Sequence, residues 1–291
     1  MKIFTPATSA NLGPGFDCLG LALSFYNEVI ITKQTFFSIK INGEGSDRVG
    51  LKKNNTFINI FKEIYKNLGG INQNFRFEFN NFIPFSRGLG SSSSTIVAAI
   101  VAAYEMSGRS YTKQQILNEA LVYENHPDNI SPAVYGGFVS SIVYKNKILS
   151  QKCEISNDIK AVLVIPNLPI NTKISRQKLP KALTLKDAVC NLSSAAFLTA
   201  CFMNKDYESL KFASNDKIHE NIRMQILPEL FEVRKIAYEN KALLSTLSGS
   251  GSTFLNIIYE KDAQNLANIY KNKNYRVEIC DFDNFGFRVV N

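Results

Sequence analysis

The chain has 291 residues, 45% of them hydrophobic and 20% charged, which suits one large or two ordinary globular domains and excludes a disordered or low-complexity protein. Its formal net charge is +8, with lysines scattered rather than blocked, a pattern of a solvated surface with some pull on anionic ligands, not of a nucleic-acid-binding stripe. The longest apolar run, Ile96 to Tyr104, is too short for a membrane span. The N terminus lacks a signal-peptide core, and five scattered cysteines with two histidines offer neither a disulfide framework nor a zinc ligand set. A cytoplasmic protein with free thiols and no membrane or nucleic-acid partner is expected.

Residues 5–20 are rich in turn formers and read as a loop ahead of strand-like runs at Leu21–Ser24 and Glu28–Thr32. Alternation predicts a further strand over Phe36–Ile41. Phe57, Ile60, Phe61, Ile64 and Leu68 recur at helical spacing from Thr56, and Gly69-Gly70 ends that helix. The alternating Phe75, Phe77 and Phe79 predict a half-buried strand, and Thr95–Met106, apolar on nearly every face, predicts a buried helix.

Between that strand and that helix lies Pro84-Phe85-Ser86-Arg87-Gly88-Leu89-Gly90-Ser91-Ser92-Ser93-Ser94. Gly88 and Gly90 let the backbone approach a ligand, and serines capping a helix whose positive end attracts phosphate make a phosphate cradle. The stretch is not a P-loop: the nearest match, Gly45 to Gly50, continues with Leu51. Nor is it a dinucleotide fingerprint, because Ser93 holds the third glycine position. A serine-capped core helix after a tight turn explains the same residues.

Thr112 and Gln115 have capping-box spacing ahead of Ile116, Leu117, Ala120 and Leu121, in a helix expected to run out at Glu124. His126-Pro127, taken alone, is a structural turn. A strand over Phe138–Tyr144 closes the first half, and the polar segment Ser150–Lys160 divides residues 1–155 from 156–291. The second half opens with a buried strand at Ala161–Ile165. Thr184 and Asp187 begin a long helix through Phe202, Asp206 caps a short one, and Pro228 opens the next. Leu247–Phe254 reads as a glycine hairpin between strands, Asp262 caps a closing helix, and Tyr275–Cys280 ends the sheet. Strand and helix patterns alternate without a regular βαβ repeat, so the expected class is α+β.

The string from Pro84 to Ser92 resembles the ATP-binding motif of the GHMP kinases, with Ser93 and Ser94 where members usually carry Ala-Ala. Ser9-Ala-Asn-Leu-Gly-Pro-Gly-Phe-Asp-Cys-Leu-Gly20 resembles the first motif of the homoserine kinases of that superfamily. Similar to segments of the same family are His126–Gly137, Ile170–Pro180 and Asp216–Arg223. Leu247–Phe254 is similar to the third superfamily motif, with Ser252 in place of its proline.

The resemblance implies a two-domain GHMP kinase fold, with a ribosomal-protein-like N-terminal domain, a ferredoxin-like C-terminal domain and the site in the cleft between them. It implies transfer of phosphate from MgATP to the side-chain hydroxyl of L-homoserine, giving O-phospho-L-homoserine for threonine synthesis. Pro84 to Ser94 would hold the triphosphate. Ser92 and Glu124 would hold Mg²⁺, with Glu119 the alternative acid. Asn11 and Asp17 would grip the substrate ammonium, and Arg176 and Arg223 its carboxylate. Thr172 and Gly249 also match substrate-site positions. His126 and Asn129, with Arg176, would line the reacting end. The catalytic aspartate of mevalonate kinases falls on Asn129, with Asp128 one residue earlier, so Asn129 is expected to position the attacking hydroxyl, since an amide accepts no proton at neutral pH. A homodimer is compatible with the family. Another small-molecule kinase with a mevalonate-like substrate, or a non-catalytic ligand- or RNA-binding relative, stays open at this level.

Overall fold

The computed structural model describes residues 1–70, 73–170 and 172–290. The first half runs β1 (Lys2–Ala10), β2 (Leu19–Gln34), β3 (Ser38–Gly43), α1 (Val49–Lys53), α2 (Thr56–Asn67), β4 (Asn74–Asn81), α3 (Ser91–Ser107), α4 (Lys113–Ala120) and α5 (Pro127–Tyr135), then the hairpin β5 (Phe138–Tyr144) and β6 (Lys147–Cys153). The second half runs β7 (Ile159–Ile165), α6 (Thr172–Gln177), α7 (Leu185–Asn204), α8 (Glu220–Met224), α9 (Glu229–Glu239), β8 (Leu244–Leu247), β9 (Phe254–Tyr259), α10 (Glu260–Asn272), β10 (Arg276–Cys280) and β11 (Arg288–Val290).

Two sheets carry the fold, which is α+β as expected. The first has the order β11-β1-β2-β4-β3, with β5 also on β2 and β6 on β5; only β3 and β4 pair in parallel. The second has the order β10-β7-β9-β8, all antiparallel, which numbers its strands fourth, first, third and second as in a ferredoxin-like unit. β7 reads as a continuous apolar run because both its faces are covered. Ala161, Leu163 and Ile165 join a core shared with Leu21, Leu23 and Phe138 of the first sheet, while Val162 and Val164 pack with Leu230 of α9 and Leu266 of α10. A third core lies where α2 to α5 cover the first sheet, and there Phe57 and Phe61 meet Phe75, Phe77 and Phe79 edge-on. The cleft opens between layers that share a core, so its two walls are held in register.

Several local readings change. The runs 21–24 and 28–32 belong to the single strand β2, whose irregularity is absorbed by a register shift at Pro6/Ala7 of β1. α3 starts at Ser91, and its N-cap is Gly90 in the left-handed region, so the serines fill the first turn instead of capping it. His126-Pro127 is not only a turn: Pro127 occupies the first position of α5, where its missing N–H costs nothing. Asp262 lies in the first turn of α10 and pairs with Lys241 rather than capping. Lys147–Cys153, inside or beside the expected linker, is a strand paired with β5. β11 returns to β1, so residues 288–290 sit in the sheet of the first half although the expected division at 155/156 assigns them to the second.

Candidate active site

The site is built around the N terminus of α3. The first-turn N–H groups of a helix have no intrahelical acceptors and sit at its positive end. Here Ser91, Ser92 and Ser93 present that turn to a cleft of about 220 Å³. Gly88 and Gly90 adopt φ of 74° and 64°. Their missing side chains make room for protein rather than for a ligand: a Cβ at Gly88 would lie 2.0 Å from the Ser248 carbonyl oxygen, and one at Gly90 1.9 Å from Thr8 Oγ1. The loop is thereby clamped on its neighbours, and Ser248 Oγ donates to the Gly88 carbonyl at 2.6 Å. Arg87, expected among the phosphate-holding residues, donates to the carbonyls of Phe85, Pro166 and Asn167, so it ties the loop to the second half of the chain.

Every other residue singled out from the sequence faces the same cleft, apart from Phe85, Ser94 and Glu119. Phe85 and Ser94 line an adjoining cavity of about 340 Å³, which shares Ser86, Ser91 and Ser92 with the cleft and is walled by Phe57, Phe79, Asn55 and Asn81. Flat apolar walls with a few amides suit a heteroaromatic ring. The Pro84–Ser94 stretch reached only the rim of this cavity, because its walls come from β2, β4 and α2 and meet only in the fold. Glu119 accepts a hydrogen bond from Tyr104 outside the cleft.

Charge is arranged by distance across the cleft. Arg176, on α6, forks onto Asp17 with Nη1–Oδ2 and Nη2–Oδ1 at 2.9 and 2.7 Å. That carboxylate holds the guanidinium protonated above its ordinary range, and His126 Nε2 lies 3.8 Å from the same Asp17. Burial lowers His126 below the usual imidazole value, partly offset by Asp17. Arg223 is only 1% exposed. Its Nη1 donates to the Gly249 carbonyl at 3.0 Å and meets His219 Nδ1 at 3.1 Å. His219 Nε2 in turn lies 2.8 Å from the Gly13 carbonyl, which can only accept, so Nε2 carries the proton and Nδ1 receives from Arg223. Burial drives His219 down to about 4, keeping that ring neutral. Phe16 stands between the arginines, with guanidinium carbons 5.1 and 5.3 Å from its ring centre. Phe16 and His219 were missed as site-builders, although Phe16 lies in the Ser9–Gly20 string and His219 in the Asp216-x-x-His219-x-x-x-Arg223 spacing.

Asn11 is engaged in structure. Its Nδ2 donates to the Gly249 carbonyl at 2.9 Å and its Oδ1 receives the Asp17 N–H at 3.0 Å, so it fixes both loops. Thr172 pairs with Ser250 at 2.9 Å. On the opposite wall, Asn129 Oδ1 accepts from Thr8 at 2.7 Å, and Asp128 is buried beside it. Burial, then the nearby Asp17 and Glu124 carboxylates, raise Asp128 to about 7. Glu124 accepts from Ser93 Oγ at 2.6 Å and is also pushed up by burial. Glu124, Asp128 and the Ser92 hydroxyl give the cleft hard oxygen donors, which fit a small divalent cation.

Residues 55–137 match the model for the GHMP kinases N terminal domain, and residues 199–277 the model for GHMP kinases C terminal. The chain is 60% identical to the homoserine kinase of Campylobacter hominis over 289 residues, 99% of each chain. The chain belongs to the GHMP kinase superfamily, in its homoserine kinase family. It is likewise 61% identical to the homoserine kinase of Campylobacter jejuni over 291 residues, 99% of this chain and 100% of the relative. The crystal structure of homoserine kinase from Cytophaga hutchinsonii superposes with a TM-score of 0.87 at 27% identity, covering 100% of this chain and 97% of that one. The mevalonate kinase of Methanococcus jannaschii shares the fold, with a TM-score of 0.73 at 14% identity over 97% and 98% of the two chains. As a GHMP kinase the chain is an ATP-dependent enzyme that phosphorylates a hydroxyl and uses a divalent metal with its nucleotide.

Proposed function

We propose that this GHMP kinase transfers the γ-phosphoryl group of MgATP to the side-chain hydroxyl of L-homoserine, giving O-phospho-L-homoserine and ADP. One observation carries the reading: a helix N-terminus built for phosphate and a set of opposite charges built for a zwitterion, Asp17 with Arg176 and Arg223, face one cleft. The triphosphate lies on the first turn of α3, with the nucleoside in the cavity walled by Phe57, Phe79, Asn55 and Asn81. Glu124 and Ser92 would hold the magnesium ion, which would supply positive charge to the phosphate oxygens when bound.

Asp17 takes the substrate ammonium, and the two guanidinium groups take its carboxylate. Asn129, its carbonyl fixed by Thr8, orients the attacking hydroxyl. As the hydroxyl oxygen bonds to the γ-phosphorus, the bond to the β–γ bridging oxygen breaks and ADP leaves. Asp128, held near 7, is placed to receive the hydroxyl proton at neutral pH. Mevalonate presents a carboxylate but no ammonium and leaves Asp17 without a substrate partner. Replacing Arg223 by Leu tests the assignment: kcat/KM for homoserine should fall by about 2–4 kcal/mol in transition-state terms while KM for ATP holds. A collapse of ATP binding with homoserine KM unchanged would overturn it.

A further inference from the structure

The Asp17–Arg176 pair joins the two halves of the chain across the cleft, the aspartate on the loop after β1 and the arginine on α6. Both terminal nitrogens of Arg176 donate to Asp17, and each Asp17 oxygen accepts from Arg176. The groups expected to hold the two charges of the substrate therefore hold each other. Building on the functional reading above, we infer that this pair is a selectivity latch, opened only by a ligand that carries an ammonium and a carboxylate together.

The chemistry follows from exchange. A zwitterion gives Asp17 a new cation and Arg176 a new anion, so both partners of the broken pair are satisfied again. A ligand with one charge satisfies one partner and strands the other; the two side chains are 37% and 28% exposed, so water reduces the cost of the stranded charge without removing it, and the open state is still disfavoured. Arg223 takes no part in the latch. Its Nη1 is fixed by His219 and Gly249, and it stays available to a carboxylate whether the pair is open or closed. Phe16 keeps Arg176 nearby when the fork lets go, because the guanidinium can slide on the ring face that it already covers. Discrimination against hydroxy acids and amino alcohols is thus built into the Asp17–Arg176 pair as competition, in addition to the contacts made with the correct substrate.

The test uses homoserine and its two halves, 4-hydroxybutanoate, which lacks the ammonium, and 3-aminopropan-1-ol, which lacks the carboxylate, with wild type and Asp17→Asn. In wild type both halves should fall at least about 100-fold below homoserine in kcat/KM. In Asp17→Asn, homoserine should drop steeply while 4-hydroxybutanoate rises about tenfold above its wild-type value, because Arg176 has been freed. If 4-hydroxybutanoate does not rise in absolute terms, Asp17 is an ammonium ligand only and the latch is refuted. The mirror variant Arg176→Met should raise 3-aminopropan-1-ol in the same way, and it decides the matter should Asp17→Asn fail to fold. A wild type that phosphorylates no homoserine would overturn the functional reading itself, a result distinct from loss of the latch.

Discussion

At the scale of single residues, burial decides what each charged group does. Glu124 is the carboxylate that reaches the phosphate-binding turn, through Ser93, whereas Glu119 is turned toward Tyr104. Replacing Glu124 by Gln should raise the magnesium concentration needed for half-maximal rate by about 10–100-fold, read from a metal titration at saturating ATP. An unchanged titration would remove Glu124 from the metal site. The phosphate-loop glycines and the cap at Thr112 were legible in the sequence because each follows from local chemistry or spacing, whereas Arg176 and Arg223 were reached only through the family resemblance. Arg87 was not, since the carbonyls that engage it, Pro166 and Asn167, are about eighty residues away. The same holds for Asn11, which reads as a substrate amide but links the Asp17 loop to Gly249.

At the scale of elements, α8 shows how a five-residue helix becomes part of the site. Asp216 receives the N–H groups of Ile218, His219 and Glu220, closing the turn before the helix. Glu220 then receives the Leu247 N–H of β8 at 2.6 Å, and Arg223 reaches Gly249 just beyond that strand. Burial raises Glu220 to about 7, with Arg234 only partly opposing it. A folded pKa above the unfolded 4.5 means that folding takes up a proton. Its stabilising part is complete below about pH 4.5 and is lost as pH rises through about 7, a change on the order of 3 kcal/mol. Glu220→Gln keeps an acceptor for Leu247 and cannot titrate. Its unfolding free energy in urea should therefore fall less than that of wild type between pH 4.5 and 7.5; parallel curves would contradict the account. Alternation made β4 readable, an unbroken apolar run did so for β7, and the capping box for α4. β11 has three residues and no period of its own, so only its pairing with β1 defines it.

At the scale of the whole molecule, the two sheets share a core and the chain's end returns to the first sheet. This geometry sets the cleft: the phosphate turn of α3 belongs to one half, Arg176 and Arg223 to the other, and Arg87 and the 248–253 loop bind them together. The α+β class could be read from the order of strand and helix patterns, but the interleaving of the halves could not, because nothing local marks Phe287 as part of the core between α2 to α5 and the first sheet. Phe287 is buried there with Ala133 and Val134 of α5. Phe287→Ala should cost about 3–5 kcal/mol of stability in denaturant unfolding. A loss below about 1 kcal/mol would show that the tail is dispensable to that core.

The central claim is that a nucleotide's triphosphate and an amino-acid zwitterion meet in one cleft. Phosphorus NMR of a reaction containing the enzyme, ATP, magnesium and equimolar L-homoserine and mevalonate reads this directly. The account predicts ADP and a single new phosphomonoester, O-phospho-L-homoserine, formed in proportion to the ATP consumed. Phosphorylated mevalonate, or ATP left intact, would contradict it.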